Sequence, residues 1–365
     1  MSSRIGKIFT LTTFGESHGP CIGAIVEGCP TGLELIESDI QSQLDRRRPG
    51  QSALTSSRDE SDKIKILSGL ENGLTLGSPI MLLIENSDKR PGDYDAMSNI
   101  PRPSHADFTY RVKYGVAASS GGGRASARET AARVAGGAIA EKYLKQHHGV
   151  EITGWVSSIG TIDAPDLAEK SLGRQDIEKS LVRCPDKASS DKMIALIEQV
   201  LKEKDSLGGV ITCVCRNVPA GWGEPVFDKI ESALGSAMLS IPAAKGFEIG
   251  SGFTGTRMRG SEHNDMFVKK GKSLGTATNR SGGVQGGITN GEPIIFRVAF
   301  KPTATIGHAQ NTVDYDGKSV VLEAKGRHDP CVVPRAVPVV EAMAALILAD
   351  MAFIRNAECG MRNAE

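Results

Sequence analysis

The stretch that most restricts how this chain can fold runs from Ser126 to Gln146. Thr130, Ala131, Val134, Ala135, Ala138 and Ile139 recur there at helical spacing. The stripe is made of small residues and includes Gly136-Gly137. A glycine inside a helix costs about 1 kcal/mol relative to alanine, so an adjacent pair is reasonable where a second helix or a sheet comes very close. The sequence therefore predicts a helix whose neighbours pack almost backbone to backbone.

Immediately upstream lies Ser119-Ser120-Gly121-Gly122-Gly123-Arg124-Ala125-Ser126-Ala127-Arg128-Glu129-Thr130. Three glycines allow close backbone approach to a ligand, and the following helix offers unpaired N–H groups and a positive dipole end. Arg124 and Arg128 add forked donors suited to phosphate. The same stretch also reads as an ordinary helix start, because Ser126 and Glu129 have the spacing of a capping box. It has neither a Walker Gly-Lys-Ser/Thr nor the dinucleotide-binding glycine spacing.

Charge makes any anion site local. Lys plus Arg and Asp plus Glu each total 43, so no global field favours nucleic acid or acidic membrane. Aromatic residues are only 5% of the chain, too few for base-stacking platforms. The seven cysteines are odd in number and lack zinc-ligand pairing, and no metal site is expected. They read as reduced thiols of a cytoplasmic protein. No leader pattern opens the chain, and no apolar run reads as a membrane span.

Periodicity and turn residues suggest strands over 8–13, 21–26, 63–67, 79–85, 151–159, 210–218, 245–249 and 293–300. Helices are expected over 37–48 with Ser38 as cap, over 126–146, from Ser190 to Lys204, from Asp228 to about Leu239, and from Arg335 to about Ile354. Residues 86–104 read as a long loop. Strands, a turn, a helix and another strand succeed one another in both halves, a weak internal duplication.

Polar chemistry gathers at the ends of these elements. Ser17 and His18 occupy a glycine-flanked turn between strands, His105 closes the long loop, and His328-Asp329 precedes the last helix. Arginines 46 to 48, 102, 124, 327 and 335 accompany them. Singly, each reads as structural. Jointly they suit a polyanion with proton transfer, since histidine titrates near neutrality and arginine matches phosphate and carboxylate.

Several blocks, in order, resemble chorismate synthase over nearly the whole chain. They are Thr12 to Gly19, Asp45-Arg46-Arg47-Arg48-Pro49-Gly50, Arg102-Pro103-Ser104-His105-Ala106-Asp107, Gly121 to Thr130, Gly221 to Phe227, Ser281 to Gly287, Lys301-Pro302-Thr303, and Gly326 to Cys331. The resemblance implies one α+β domain over residues 1–365. Its fold would be a β-α-β sandwich with helices packed between antiparallel sheets, assembled as a homotetramer of the monofunctional, bacterial type.

It also implies the reaction: 1,4-anti elimination of phosphate from 5-enolpyruvylshikimate 3-phosphate to give chorismate, the last step of the shikimate pathway, dependent on reduced FMN. His18 would be the acid beside the phosphate, and His105 would protonate or hold the flavin. Asp329 would assist loss of the C6 proton, and Ser17 and Ser126 would relay protons. Flavin contacts would come from Arg124, Ala125, Ser126, Pro242, Ala243, Gly286, Lys301, Pro302, Thr303, Ala304, Thr305 and Arg327. Substrate anions would fall to Arg47, Arg102 and Arg335, and Arg47 also matches a position linked to NADP in some members.

Two positions depart from the family pattern. Ala125 stands where many members have serine, which leaves only a backbone contact, and Ala53 replaces a common basic residue, which puts a nicotinamide interaction in doubt. No flavin-reductase segment is recognisable, so reduced flavin is expected from an external reductase, with NADPH acting at most indirectly. A phosphotransferase built on the Gly121–Arg128 loop would lack its P-loop lysine. A non-catalytic RNA-binding protein would fit poorly with zero net charge.

Overall fold

A computed structural model describes residues 3–51, 54, 60–86, 99–115, 122–323 and 329–362. In the first half, β1 (Arg4–Ile5), β2 (Thr10–Gly15), β3 (Cys21–Glu27) and β4 (Thr31–Glu34) precede α1 (Glu37–Arg47). Then come β5 (Ile64–Ile66), β6 (Leu70–Glu71), β7 (Leu74–Leu76), β8 (Ile80–Glu85), α2 (Asp107–Tyr114) and α3 (Thr130–His148). The second half opens with β9 (Glu151–Ile159), β10 (Ile162–Asp163), α4 (Arg174–Glu178) and α5 (Lys187–Lys202). It continues through β11 (Gly209–Arg216), α6 (Ile230–Leu239), β12 (Ala244–Ile249), α7 (Gly252–Gly255) and α8 (Gly260–His263). The remaining elements are β13 (Phe267–Lys270), β14 (Ser273–Thr276), β15 (Val284–Gln285), β16 (Ile288–Thr289), β17 (Ile294–Phe300), β18 (Gln310–Val313), β19 (Ser319–Leu322) and α9 (Val333–Arg362).

Each half contributes one antiparallel sheet of five strands, ordered β1-β2-β3-β8-β5 and β10-β9-β11-β17-β12. The strands alternate as half-buried sheets require: Ile80, Leu82 and Ile84 on β8, and Ile294, Phe296, Val298 and Phe300 on β17, all point into the core. Between the sheets lie α1, α3, α6 and α9, with α3 against β3 and α9, and α9 against β9 and β11. The fold is thus an α+β sandwich with these four helices inside, and the duplication expected from element order appears as one sheet per half.

The Gly136-Gly137 pair does what its smallness predicts. A Cβ on Gly136 would lie 2.3 Å from Leu11 Cδ1 on β2, and one on Gly137 would lie 2.4 Å from Ala342 Cβ on α9. One glycine admits the sheet and the other admits the helix.

The final helix, Val333–Arg362, starts two residues before and ends about eight residues after the expected Arg335 to Ile354, and Pro338 lies inside it. Pro338 lacks the N–H that would bond the Pro334 carbonyl, and Arg183 Nη1 donates to that carbonyl instead, at 2.6 Å. Residues 333–360 are long and apolar enough in composition to cross a membrane, contrary to the expectation from apolar runs, but 89% of the apolar window is buried inside the molecule. Its two buried carboxylates are satisfied internally. Asp350 accepts from the N–H groups of Lys7, Ile8 and Phe9 at 2.8, 2.7 and 3.0 Å, and Glu341 accepts from Arg46 at 2.5 Å and from Gly154 N at 2.8 Å.

Helix starts were the least legible feature. Asp39 Oδ2, not Ser38, accepts from the N–H of Ile36 at the start of α1. The α5 helix begins at Lys187 with Asp186 accepting from Ser189 N at 2.8 Å, three residues ahead of the expected Ser190. Asp228 lies outside α6 and pairs with Lys7. Ser126 caps a short 3-10 turn through Arg128 N at 3.3 Å while Glu129 pairs with Arg133, so the reciprocal capping box does not form. The α2 helix falls just after the expected loop and shows no buried residue, so no apolar stripe announced it.

Candidate functional site

A cavity of about 630 Å³ opens where several of these element ends meet. The turn before α2 brings Arg102 and His105, and the 3-10 turns before α3 bring Arg124, Ala125 and Ser126. The segment between α6 and β12 supplies Pro242 and Ala243. After β17 come Lys301, Thr303, Ala304 and Thr305, and the entry to α9 gives Asp329 and Arg335. Arg47 reaches the same wall from the last turn of α1.

Other expected residues lie elsewhere. Ser17 and His18 sit in the β2–β3 turn, off the cavity lining; Ser17 N bonds to Gly123 O at 3.4 Å and its buried hydroxyl has no partner among the described residues. Gly286 forms the turn between β15 and β16 and does not line the cavity, and neither does Pro302. Arg327, His328, Ala53 and residues 119 to 121 fall outside the described residues.

The arginine triplet of α1 divides its work. Arg46 turns toward Glu341 and Glu178 and ties α1 to the helix layer and to α4. Arg47 points to the cavity wall, yet all three of its nitrogens are engaged: Nε with Thr130 Oγ1 at 3.1 Å, Nη1 with Asp62 at 3.0 Å, and Nη2 with Ala127 O at 2.5 Å. Burial pushes the Arg47 guanidinium down to about 10, with Asp62 opposing and Arg335 and Arg128 adding to the shift.

Asp62 joins Arg47 to Arg128 and is completely buried. Burial alone would raise its carboxyl, but the two guanidiniums override that and hold it below the usual carboxylate range. Asp107 behaves similarly: burial works upward, while hydrogen bonds from Arg102 and His105 bring it well below the ordinary value. Arg102 grips that carboxylate with Nε and Nη2, both at 2.7 Å.

A charge census of the wall separates two kinds of cation. Arg47, Arg102, Arg128, Arg133 and Arg335 each have a carboxylate partner, Asp329 being that of Arg335. Among the described residues Arg124 bonds only to neutral groups, including Thr13 Oγ1 at 2.7 Å and Gly15 O at 3.2 Å. Lys245 and Lys301 have no carboxylate partner among the described residues, and burial together with the Lys245 charge lowers the Lys301 ammonium.

Sequence reading missed Lys245, and the reason is local. Ala244 pairs with Phe300 and Gly246 with Ala299, so Lys245 is the extra residue of a β-bulge, a device that re-aims side chains. Arg133 and Asp62 were also missed. Arg133 Nη1 donates to Ser240 Oγ at 2.7 Å and so fixes the segment leading to Pro242.

The backbone is specialised here too. Ala243 has φ 69°, in the left-handed region, and its carbonyl accepts from Lys301 N at 3.0 Å. Gly122 has φ 96°, and a Cβ there would lie 3.0 Å from His105 Cε1. Its side-chain hydrogen leaves room for the imidazole.

Comparison with known proteins gives this arrangement its relatives. The profile of the chorismate synthase family matches residues 9–353. The chain belongs to the chorismate synthase family. A chorismate synthase of Prochlorococcus marinus strain MIT 9301 is 56% identical over 365 residues, covering 100% of both chains. That of strain MIT 9211 is 57% identical over 362 residues, 99% of each. A crystal structure of chorismate synthase superposes with a TM-score of 0.75 at 34% identity, covering 96% of this chain and 93% of the other. The fold described above is therefore the chorismate synthase fold, and the chain is an enzyme of that family.

Proposed function

We propose that this enzyme eliminates phosphate from 5-enolpyruvylshikimate 3-phosphate in the 1,4-anti sense to give chorismate, with reduced FMN held in the cavity. The observation that carries the reading, beside family membership, is one cavity combining His105 and Asp329 with three cations that have no carboxylate partner among the described residues. Its volume, about 630 Å³, suits a cofactor-sized ligand.

The residues present fit FMN. Arg124, Lys245 and Lys301 offer positive charge with no carboxylate partner among the described residues, Gly122 clears space beside His105, and Ala125, Ser126, Pro242, Ala243 and Thr303 to Thr305 supply wall. Pro302, Gly286 and Arg327 remain flavin contacts in this reading through the same chain segments or another subunit. Reduced FMN, if held by these residues, would supply transient electron density for departure of the allylic phosphate with no net redox change.

The chain's own groups do the rest. Arg335 keeps Nη2 unbonded among the described residues and can take a substrate carboxylate or phosphate. Arg47 and Arg102, whose nitrogens are mostly engaged internally, act chiefly through their field. His105 holds a proton at the flavin edge, Asp329 assists loss of the C6 proton, and His18 serves the departing phosphate with Ser17 and Ser126 as relays. Cationic stabilisation of the leaving group is the electrostatic core of the proposal.

We further read the enzyme as a cytoplasmic homotetramer supplied with reduced flavin by an external reductase. Phe253, Met266, Phe267 and Leu274 are strongly exposed around α7 and the β13–β14 hairpin, apolar surface that assembly would cover. Sedimentation at the mass of a single chain would remove the tetramer.

The direct test mixes purified protein anaerobically with dithionite-reduced FMN and the enolpyruvyl substrate and follows chorismate absorbance. Product should accumulate with reduced FMN and not with oxidised FMN. Its absence under reduced conditions would overturn the assignment.

A further inference from the structure

Asp107 stands in a position that decides which nitrogen of His105 faces the ligand. Its Oδ1 lies 2.7 Å from His105 Nδ1, and Arg102 Nη2 lies 3.0 Å from the same Nδ1. Either partner could bond the ring in isolation. If Nδ1 carried the lone pair, it would accept from Arg102, but it would then stand 2.7 Å from a carboxylate oxygen that is also an acceptor only. Two acceptors do not approach that closely without a proton between them.

The carboxylate itself is not free to turn away. Arg102 fastens Oδ2 through Nε and Oδ1 through Nη2, each at 2.7 Å, and the Arg102 N–H reaches Oδ2 at 3.3 Å. Arg102 is in turn tied to Thr305 Oγ1, also on the cavity lining, at 3.3 Å. The bidentate grip leaves Oδ1 with capacity for one further donor, and the imidazole supplies it.

We infer that Asp107 is a positioning residue that fixes His105 as the Nδ1–H tautomer and presents Nε2 to the bound ligand. Nε2 has no protein partner among the described residues, and His105 lines the cavity. In this state the ring can receive a proton at Nε2 and, once charged, donate it there, while the Asp107 carboxylate compensates the charge at the other edge. Arg102 becomes the clamp that aims Asp107, which explains why its side chain is largely buried and saturated on a wall that needs spare cations. The role in turnover rests on the function proposed above; the tautomer does not.

The experiment reads the two separately. With ¹⁵N-labelled histidine, the neutral His105 ring should show a protonated Nδ1 and an unprotonated Nε2, assigned by the loss of that signal in His105→Gln. In Asp107→Ala the carboxylate is gone, Arg102 can donate to Nδ1, and the ring proton should move to Nε2. Asp107→Glu should restore the Nδ1–H form and most of the turnover. Chorismate formation in Asp107→Ala should fall ~10–100-fold, as for other lost supporting partners, with the fall in kcat and flavin affinity little changed.

A wild-type ring protonated at Nε2, or an Asp107→Ala ring that keeps its proton at Nδ1, would overturn the inference, and the first needs no variant to fold. Normal turnover in Asp107→Ala despite a switched tautomer would also overturn the positioning role. Absence of chorismate from the wild type, with the Nδ1–H signal present, would instead count against the function and leave the tautomer assignment supported.

Discussion

Replacing Asp62 by asparagine isolates one buried charge from everything else at its position. Asp62 has φ 46°, a left-handed backbone that asparagine tolerates as aspartate does, and the two side chains have nearly the same shape. What disappears is the negative charge between Arg47 Nη1, 3.0 Å away, and Arg128 Nη1. The carboxylate has 0% side-chain exposure and the guanidiniums 3% and 2%, so solvent screening gives little relief.

Breaking a buried pair by removing one partner costs about 3–5 kcal/mol. Arg128 keeps Glu60 at 3.7 Å, whereas Arg47 loses the one carboxylate within salt-bridge reach among the described residues. The lower part of that range, ~3 kcal/mol, is therefore expected. Urea unfolding at fixed protein concentration should show it as a reduced midpoint with an unchanged slope.

The pH dependence has a definite sign. The folded Asp62 carboxyl titrates below its unfolded value, so its stabilisation is complete above about pH 4 and is lost as pH falls through the lower folded value. The gap between wild type and Asp62→Asn should be flat from about pH 8 to about pH 6 and narrow only in strong acid. A gap below ~1 kcal/mol at neutral pH, smaller than any buried pair should give, or a gap that widens on acidification, would refute the reasoning.

Gly137→Ala should lower the melting temperature although alanine favours helix, because its Cβ would come within 2.4 Å of Ala342 Cβ and 2.7 Å of Ala342 Cα. Overpacking of this kind costs about 1–3 kcal/mol, and a raised melting temperature would contradict it. Gly122→Ala forces a side chain into φ 96° and against His105. Turnover should drop ~10-fold or more, in addition to a roughly 1–2 kcal/mol backbone penalty read separately in unfolding, and unaltered turnover would show that the imidazole does not need this space. His105→Ala and Asp329→Ala should fold normally by circular dichroism yet lose most chorismate formation; unchanged rates would remove those side chains from the chemistry.

Some of the site was readable because its signal is local. The blocks around Arg102-Pro103-Ser104-His105, the glycine turns and the Lys301 segment each carry their residue types in adjacent positions, and the cavity collects most of them. Lys245 was not readable, since a register shift between β12 and β17 is a property of two strands and neither strand shows it alone. The Arg46–Arg48 run was only half readable: adjacent helical positions point in different directions, so Arg46 went to Glu341 and Arg47 to Asp62.

The sequence by itself determined the eight strands it expected to within about two residues, though not α2, α4 or the end of α9, and it determined that α3 must accept close neighbours, because periodicity and side-chain volume are local quantities. Glu151–Ile159 was bounded as expected, and Gly136-Gly137 met both a sheet and a helix. Only the tertiary structure decided which hydroxyl or carboxylate caps each helix, which arginines are spent on internal carboxylates, and which cations remain for a ligand. Those outcomes depend on partners 15 residues away, as for Arg47 and Asp62, or 295 residues away, as for Arg46 and Glu341, and such pairings are set when sheets and helices close around one another.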